Sequence, residues 1–254
     1  MCRLPTPLVA LVIPAYCESA RLPALLEALI GEALATPAPA TELLVVDDGS
    51  GPAEVERERA AVAESSARLA DASAPHRIRF VTVPENRGKG AAIRAGWASA
   101  DPAAAWLGFL DADGAVSARE AWRLVRMLEG ADDIDVLAAT RVLMAGRSIE
   151  RSSFRHLQGR VFATLAERLF HLRFYDTQCG LKLFRAEVLR QLLPSLREDR
   201  WLLDVEVLAL LRKQGARFRE EPVDWSDPGG SKLVPGLDAL RMAVGLWRMR
   251  RRMG

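Results

Sequence analysis

The sequence predicts an α/β fold in which a mostly parallel central sheet is flanked by helices, on three observations. Short apolar runs alternate with longer segments of helical composition through the first 140 residues, two of those runs end in paired acids, and no run is long enough to cross a membrane. The first run, Leu8 to Ile13, is closed by Pro14 and reads as a strand. A signal peptide would require a small-residue cleavage site where Pro14 and Glu18 stand. Leu43 to Val46, Ile78 to Val83, Trp106 to Leu110 and Ile134 to Ala139 read as further buried strands. Between them, Arg21 to Ala35, Ala53 to Ala70, Gly90 to Ala100 and Ser117 to Leu128 carry the Ala, Leu, Glu and Arg of amphipathic crossover helices. Prolines mark Thr36 to Ala40 as a loop and close the second helix near Pro75.

Past residue 140 the pattern becomes longer, more basic and helical. Phe154, Leu157, Val161, Leu165 and Leu169 recur at helical spacing, and the stretch from Leu237 to Met253 sets Leu240, Val244, Trp247 and Met249 among five arginines. The expected organisation is one domain over 1–254, with a ligand-binding half over 1–140, a second half over 141–235 and a basic amphipathic helix over 236–254. Its 254 residues suffice for a sizeable core, and 50% hydrophobic with 27% charged residues excludes disorder. Lys+Arg 35 against Asp+Glu 33 leaves a net charge of +2, too balanced for a surface built to grip nucleic acid. Three cysteines without C-x-x-C spacing disfavour a disulfide framework or zinc site and fit a reducing cytoplasm.

Asp111 and Asp113 close the strand Trp106 to Leu110. Acids at the carboxyl end of a parallel strand suit Mg²⁺ or Mn²⁺ shared with a diphosphate, or else a capped turn. Asp47 and Asp48 close the second strand likewise, where a carboxylate can accept from a base N–H or a ribose hydroxyl, or cap a helix. The run Asn86-Arg87-Gly88-Lys89-Gly90 precedes a helix and offers backbone amides, the Lys89 cation and a positive helix end to a phosphate. Neither a P-loop nor a G-x-G-x-x-G spacing is present, which argues against ATPase and dehydrogenase readings.

Together with Val12 to Glu18 and Asp176-Thr177-Gln178-Cys179-Gly180, these segments resemble the family 2 glycosyltransferases, whose GT-A fold is Rossmann-like and binds nucleotide sugars. Through Asp176 to Phe184, Arg200-Trp201, Asp204-Val205-Glu206 and Gly230 to Leu233 the resemblance narrows to polyprenyl-phosphate glycosyltransferases, above all dolichyl-phosphate β-glucosyltransferases. It covers nearly the whole chain. It implies a nucleotide pocket from Pro14, Ala15, Tyr16, Glu18 and Asp48, joined by Asp47 and Lys89, with Asp111 and Asp113 at the diphosphate and metal. Arg141 matches an acceptor-phosphate arginine, and Arg155 is a second cation for that side. Asp176 and Gln178 match the segment closing the sugar site, Asp204 and Glu206 an acidic helix motif, and Lys232 a loop that reaches the diphosphate. Cys17 stands where the family has Asn and is expected to be a buried loop residue.

The activity so implied is inverting transfer of glucose from UDP-glucose to a polyprenyl phosphate, dolichyl or undecaprenyl, with peripheral attachment to the cytoplasmic membrane face through the basic helices. A lipid monophosphate has a second pKa of about 6 and arrives deprotonated, so Asp176 is expected to orient rather than to abstract a proton. Two other readings stand beside it. One is a related transferase for GDP-mannose, another nucleotide sugar or a soluble carbohydrate acceptor, and the other is a non-catalytic nucleotide-sugar sensor or scaffold.

Overall fold

The computed structural model describes residues 8–150, 153–227 and 237–253, without side-chain detail for 153–161 and 237–241. The first half is a run of βα units: β1 (Val9–Ala15), α1 (Leu22–Ala35), β2 (Thr41–Asp48), α2 (Pro52–Asp71), β3 (Arg77–Val83), α3 (Lys89–Ser99), β4 (Trp106–Leu110), α4 (Ala118–Arg126) and β5 (Val136–Thr140). The remainder comprises β6 (Ile149–Glu150), α5 (Ser153–Phe170), β7 (Leu181–Arg185), α6 (Ala186–Leu192), α7 (Leu203–Lys213), β8 (Phe218–Pro222), β9 (Trp225–Ser226) and α8 (Leu237–Met253). Seven strands form one sheet in the order β3-β2-β1-β4-β7-β5-β8, and β6 pairs with β9 beside it. All neighbours in the large sheet run parallel except β7, which is antiparallel to β4 and β5. β7 and β8 lie beyond residue 140, so one sheet crosses the expected midline of the chain.

β1, β2, β4 and β5 are buried along their whole length, which explains their continuous apolar runs. One core layer packs α1, α2 and α4 under the sheet through Leu26, Ile30, Leu69, Trp122 and Val125, and the other packs α3, α6 and α7 through Ile93, Trp97, Leu189 and Leu208. Helix α1 starts with proline in its first turn, and α4 is capped by Ser117, whose hydroxyl accepts the Glu120 amide at 3.3 Å. Helix α8 belongs to the second layer. Leu246 and Met249 are fully buried there, while Val244 and Trp247 face outward, so the apolar residues of this helix divide between core and surface. No helix among the described residues is long and apolar enough to span a membrane.

Because β1, β2, β3, β4 and β5 run the same way, their carboxyl ends open on a single edge, and antiparallel β7 brings its N-terminal approach, Asp176 to Gly180, to that edge as well. Asp111 N donates to Gly180 O at 2.8 Å, which ties the two segments together. Loops at this edge carry nearly every candidate residue.

Candidate active site

Asp111 follows the last residue of β4, and Lys89 opens α3. Their side chains pair, Lys89 Nζ to Asp111 Oδ1, at 2.6 Å. Burial alone would lower the Lys89 ammonium, but the charges of Asp111 and Asp204 more than reverse that and keep it protonated. Asp113 is half-buried. Desolvation and the neighbouring Asp111 charge raise its carboxyl above the ordinary range, and its Oδ1 accepts the Ala115 amide at 3.0 Å. Two carboxylates leave one loop in a field that an added cation relieves, and this donor set fits a hard divalent ion. Among the described residues no three His, Cys, Asp or Glu side chains converge as a metal cage. Asp111 and Asp113 would therefore supply a minority of the ligands, and substrate oxygens and water the rest, as suits Mg²⁺-type sites.

Gly180 is required here by space. A Cβ at this position would stand 2.5 Å from Asp111 Oδ2 and 2.7 Å from its Cγ. Gly180→Ala is accordingly expected to push the Asp111 carboxylate aside, lowering transfer by about tenfold or more while costing about 1–3 kcal/mol of stability. Initial rates and thermal unfolding of the purified variant check this.

On the other side of β7, Arg141 and Asp176 form a two-pronged ion pair. Nε donates to Oδ2 at 2.5 Å and Nη2 to Oδ1 at 2.8 Å, and the Arg141 amide reaches Oδ2 at 3.2 Å. Burial would raise the Asp176 carboxyl, but Arg141 and then Lys182 hold it down to about 2. The same pairing overcomes the burial of Arg141 and holds its guanidinium firmly charged. Asp176 is itself presented from β8, where Glu220 accepts the amides of Tyr175 at 2.8 Å and Asp176 at 3.1 Å. Asp176 Oδ1 accepts the Gln178 amide at 3.0 Å, and Gln178 Nε2 lies 3.4 Å from Trp201 O. The guanidinium stacks over Trp225, 5.4 Å from the ring centre.

Between the two pairs lies a third. Lys182 on β7 is fully buried, donates to Cys179 O at 2.7 Å and lies 3.7 Å from Asp204 Oδ1. Burial raises the Asp204 carboxyl, against the pull of Lys182 and Lys89. Asp204 thus belongs to the site. Glu206, two residues along α7, turns away: it accepts the Arg197 and Glu198 amides and pairs with Arg252 of α8. Cys179 is buried, and desolvation pushes its thiol up to about 12, which rules out a thiolate nucleophile at neutral pH.

At the carboxyl end of β1, Pro14 and Ala15 complete the strand, and Tyr16 is half-exposed just beyond it. Glu18 is buried and forms a two-pronged pair with Arg21, at 2.8 and 2.7 Å. Asp48 accepts the Arg87 amide at 3.1 Å and the Gly88 amide at 2.7 Å. This corrects one expectation. Those amides of the Asn86 to Gly90 run are committed to Asp48 rather than held ready for a phosphate, and Lys89 is the group the run projects into the site. Asp47 closes its own turn, both its oxygens accepting the Ser50 amide, at 3.2 and 3.1 Å.

Cys17 is exposed, not buried, and has a φ of 51°. Asn tolerates that left-handed conformation better than most residues, so Cys17→Asn is compatible with this turn. Lys232 and the side chain of Arg155 lie outside the described residues. Sequence reasoning assigned no role to Lys182, Glu220 or Glu58. For Glu58 a signal existed: it begins the buried stripe Glu58, Val62, Ser65, Leu69 of α2 at helical spacing.

A family model described as glycosyl transferase family 2 matches residues 10–193. A dolichyl-phosphate beta-glucosyltransferase of Drosophila melanogaster is 34% identical to this chain over 262 residues, covering 95% of it and 77% of the relative. The protein of the same description from Homo sapiens is 31% identical, covering 96% of this chain and 79% of its own. Among solved structures, glucosyl-3-phosphoglycerate synthase from Mycobacterium tuberculosis, in complex with Mn²⁺, uridine diphosphate and glucosyl-3-phosphoglycerate, aligns with a TM-score of 0.60 at 17% identity, over 96% of this chain and 78% of that one. A mannosyltransferase from Pyrobaculum calidifontis, in complex with GDP-Man and Mn²⁺, aligns with a TM-score of 0.60 at 20% identity, over 96% and 61%. At these identities the two structures speak to the fold alone.

Proposed function

We propose that this chain, which belongs to glycosyl transferase family 2, transfers glucose from UDP-glucose to a polyprenyl phosphate with inversion at the anomeric carbon. Its GT-A fold and family make it a glycosyltransferase; the donor, the acceptor and its place at the membrane are our reading. The observation that carries this reading is the Arg141–Asp176 pair. It sets a fixed cation on the same sheet edge as the Lys89–Asp111 pair, across β7 from it.

The donor's nucleoside meets the loop of Tyr16 and Glu18 beside Asp48, and its diphosphate meets Lys89. A divalent ion held by Asp111 and Asp113 would neutralise charge on the departing diphosphate. Arg141 spends Nε and Nη2 on Asp176, so Nη1 is the corner that remains for an acceptor phosphate. A dianionic acceptor needs no proton removed, and Asp176, held near pKa 2, is an orienting anion rather than a base. Displacement then proceeds in line, without a covalent sugar on the protein.

A lipid acceptor has to be met at a bilayer. The outward face of α8 supports peripheral attachment at the cytoplasmic face: Trp247 is 52% exposed, Arg251 stacks on it at 4.2 Å, and Val244, Arg248 and Arg250 are exposed beside them. The organisation into a donor half, an acceptor half and this basic helix is part of the same reading.

The deciding experiment is transfer from radiolabelled UDP-glucose to a short polyprenyl phosphate in detergent, with Mg²⁺ or Mn²⁺ and a chelator control. A chelator-sensitive glucolipid is expected. Hydrolysis of UDP-glucose without a lipid product would keep the donor and remove the acceptor, and no reaction would overturn the UDP-glucose assignment and turn the search to GDP-mannose.

A further inference from the structure

The loop from Tyr16 to Ser19 follows β1 but is held from α2. Glu58 Oε1 accepts the Glu18 amide at 2.8 Å, Glu54 Oε2 accepts the Ser19 amide at 3.3 Å, and Arg57 Nε donates to Ser19 Oγ at 3.2 Å. Just ahead of that helix, Ser50 Oγ accepts the Cys17 amide at 2.9 Å, fixing the left-handed turn at Cys17. Glu58 is unlike the other contacts in being fully buried, and its Oε2 has no hydrogen-bond partner among the described residues. On the apolar stripe of α2 a hydrophobic side chain would pack without that desolvation penalty. What the carboxyl supplies in return is a hook on a backbone amide of a loop that carries two donor-pocket residues.

We propose that Glu58 is a positioning residue of the donor pocket: its buried carboxyl fixes the Glu18 amide, so that Tyr16 and Glu18 stand where the nucleoside docks. This rests on the donor-pocket reading above. The groups around Glu58 make ionisation unfavourable. Glu18, paired to Arg21, faces it from the loop before α1, Asp47 from β2 and Glu54 from its own helix. Burial, reinforced by the charges of Asp47, Glu54 and Glu18 and opposed by the Glu18 amide, lifts the carboxyl to about 7. Because the Glu18 amide favours the charged form, the hydrogen bond is kept on both sides of that pH.

The sign for stability follows. The folded state holds this proton more tightly than the unfolded chain, so the contribution of Glu58 declines as pH rises from its ordinary carboxyl value to about 7 and is level beyond.

The test compares the parent with Glu58→Gln and Glu58→Leu from about pH 6 to pH 9, reading KM for UDP-glucose, kcat and the hydrogen exchange of the Glu18 amide, with thermal unfolding as the control for folding. Glu58→Gln, which keeps the acceptor, is expected to follow the parent in donor KM, kcat and Glu18 exchange across this range. Glu58→Leu gives a KM raised about fivefold to tenfold at every pH and faster exchange at Glu18. Impairment of Glu58→Gln equal to that of Glu58→Leu, or parental KM and Glu18 protection in Glu58→Leu, overturns the proposal. If the parent does not use UDP-glucose, the donor reading fails, and Glu18 exchange in the three proteins still decides the role of Glu58.

Discussion

Asp113→Ala is expected to fold like the parent and to lose metal-dependent transfer by about 10²–10³-fold or more. The two halves of this result have separate causes. In the fold, the described hydrogen bond of the side chain is to the Ala115 amide in its own turn, worth about 1 kcal/mol. Removing it also removes the repulsion from Asp111 that helps to raise the Asp113 carboxyl, which offsets part of the loss. For a chain of this length a change of that size moves the unfolding temperature by about 2–4 °C. In the site, the same deletion takes one of the two carboxylates assigned to the ion, and Lys89, already paired to Asp111, cannot replace it. Mn²⁺ binding in the presence of UDP, followed by electron paramagnetic resonance, gives a second readout: affinity falls with activity in Asp113→Ala and partly in Asp113→Asn. Parental turnover or Mn²⁺ affinity in Asp113→Ala would sink the metal assignment.

What sequence made visible of this fold follows from how each strand is buried. β1, β2 and β4 lie between two helical layers, so both faces are apolar and the runs stand out without any partner being known. β7 does not stand out. Its Leu-Lys-Leu-Phe-Arg sequence reads as half polar, yet Lys182 is fully buried because Cys179 O and Asp204 meet it, and Asp204 lies on a helix that follows. A buried lysine looks solvated until its distant partner is placed. The single antiparallel strand escaped with it.

Asp47, Asp48, Asp111 and Asp113 were legible because each pair sits where a parallel strand ends, but the partners of the site's acids were not. Arg141 meets Asp176 across 35 residues, and Asp48 meets the Arg87 and Gly88 amides across 39 and 40. Local sequence gives the same two-acid signal at Asp47-Asp48 and at Asp111-x-Asp113. Only the fold separates a turn-closing Asp47, a loop-holding Asp48 and the pair Asp111 and Asp113 beside Lys89. Glu58 shows the complementary case: its helical spacing pointed inward while its charge pointed outward, and the loop amide 40 residues away resolves the conflict.

Arg141→Ala is expected to abolish transfer while leaving donor binding in place, and here stability and activity fall together for one reason. The substitution leaves Asp176 buried without its partner, a loss of about 3–5 kcal/mol in comparable buried pairs. It also shifts the acid limb of stability. The depressed carboxyl of Asp176 stabilises the fold above its unfolded value, a benefit lost as pH falls through about 2. Without Arg141 that carboxyl rises, and acid unfolding begins at higher pH. Two further variants separate the fold from the chemistry. Arg141→Lys keeps a charge but not the fork, so it recovers part of the stability while acceptor KM stays high and kcat stays at least about tenfold down. Arg141→Met combined with Asp176→Leu removes both charges, and replacing a buried pair by apolar groups of similar size is close to neutral for stability. The double variant is therefore expected to melt near the parent temperature, bind UDP as the parent does and form no glucolipid. Transfer at more than about one hundredth of the parental rate in that protein would show that neither Arg141 nor Asp176 acts on the acceptor.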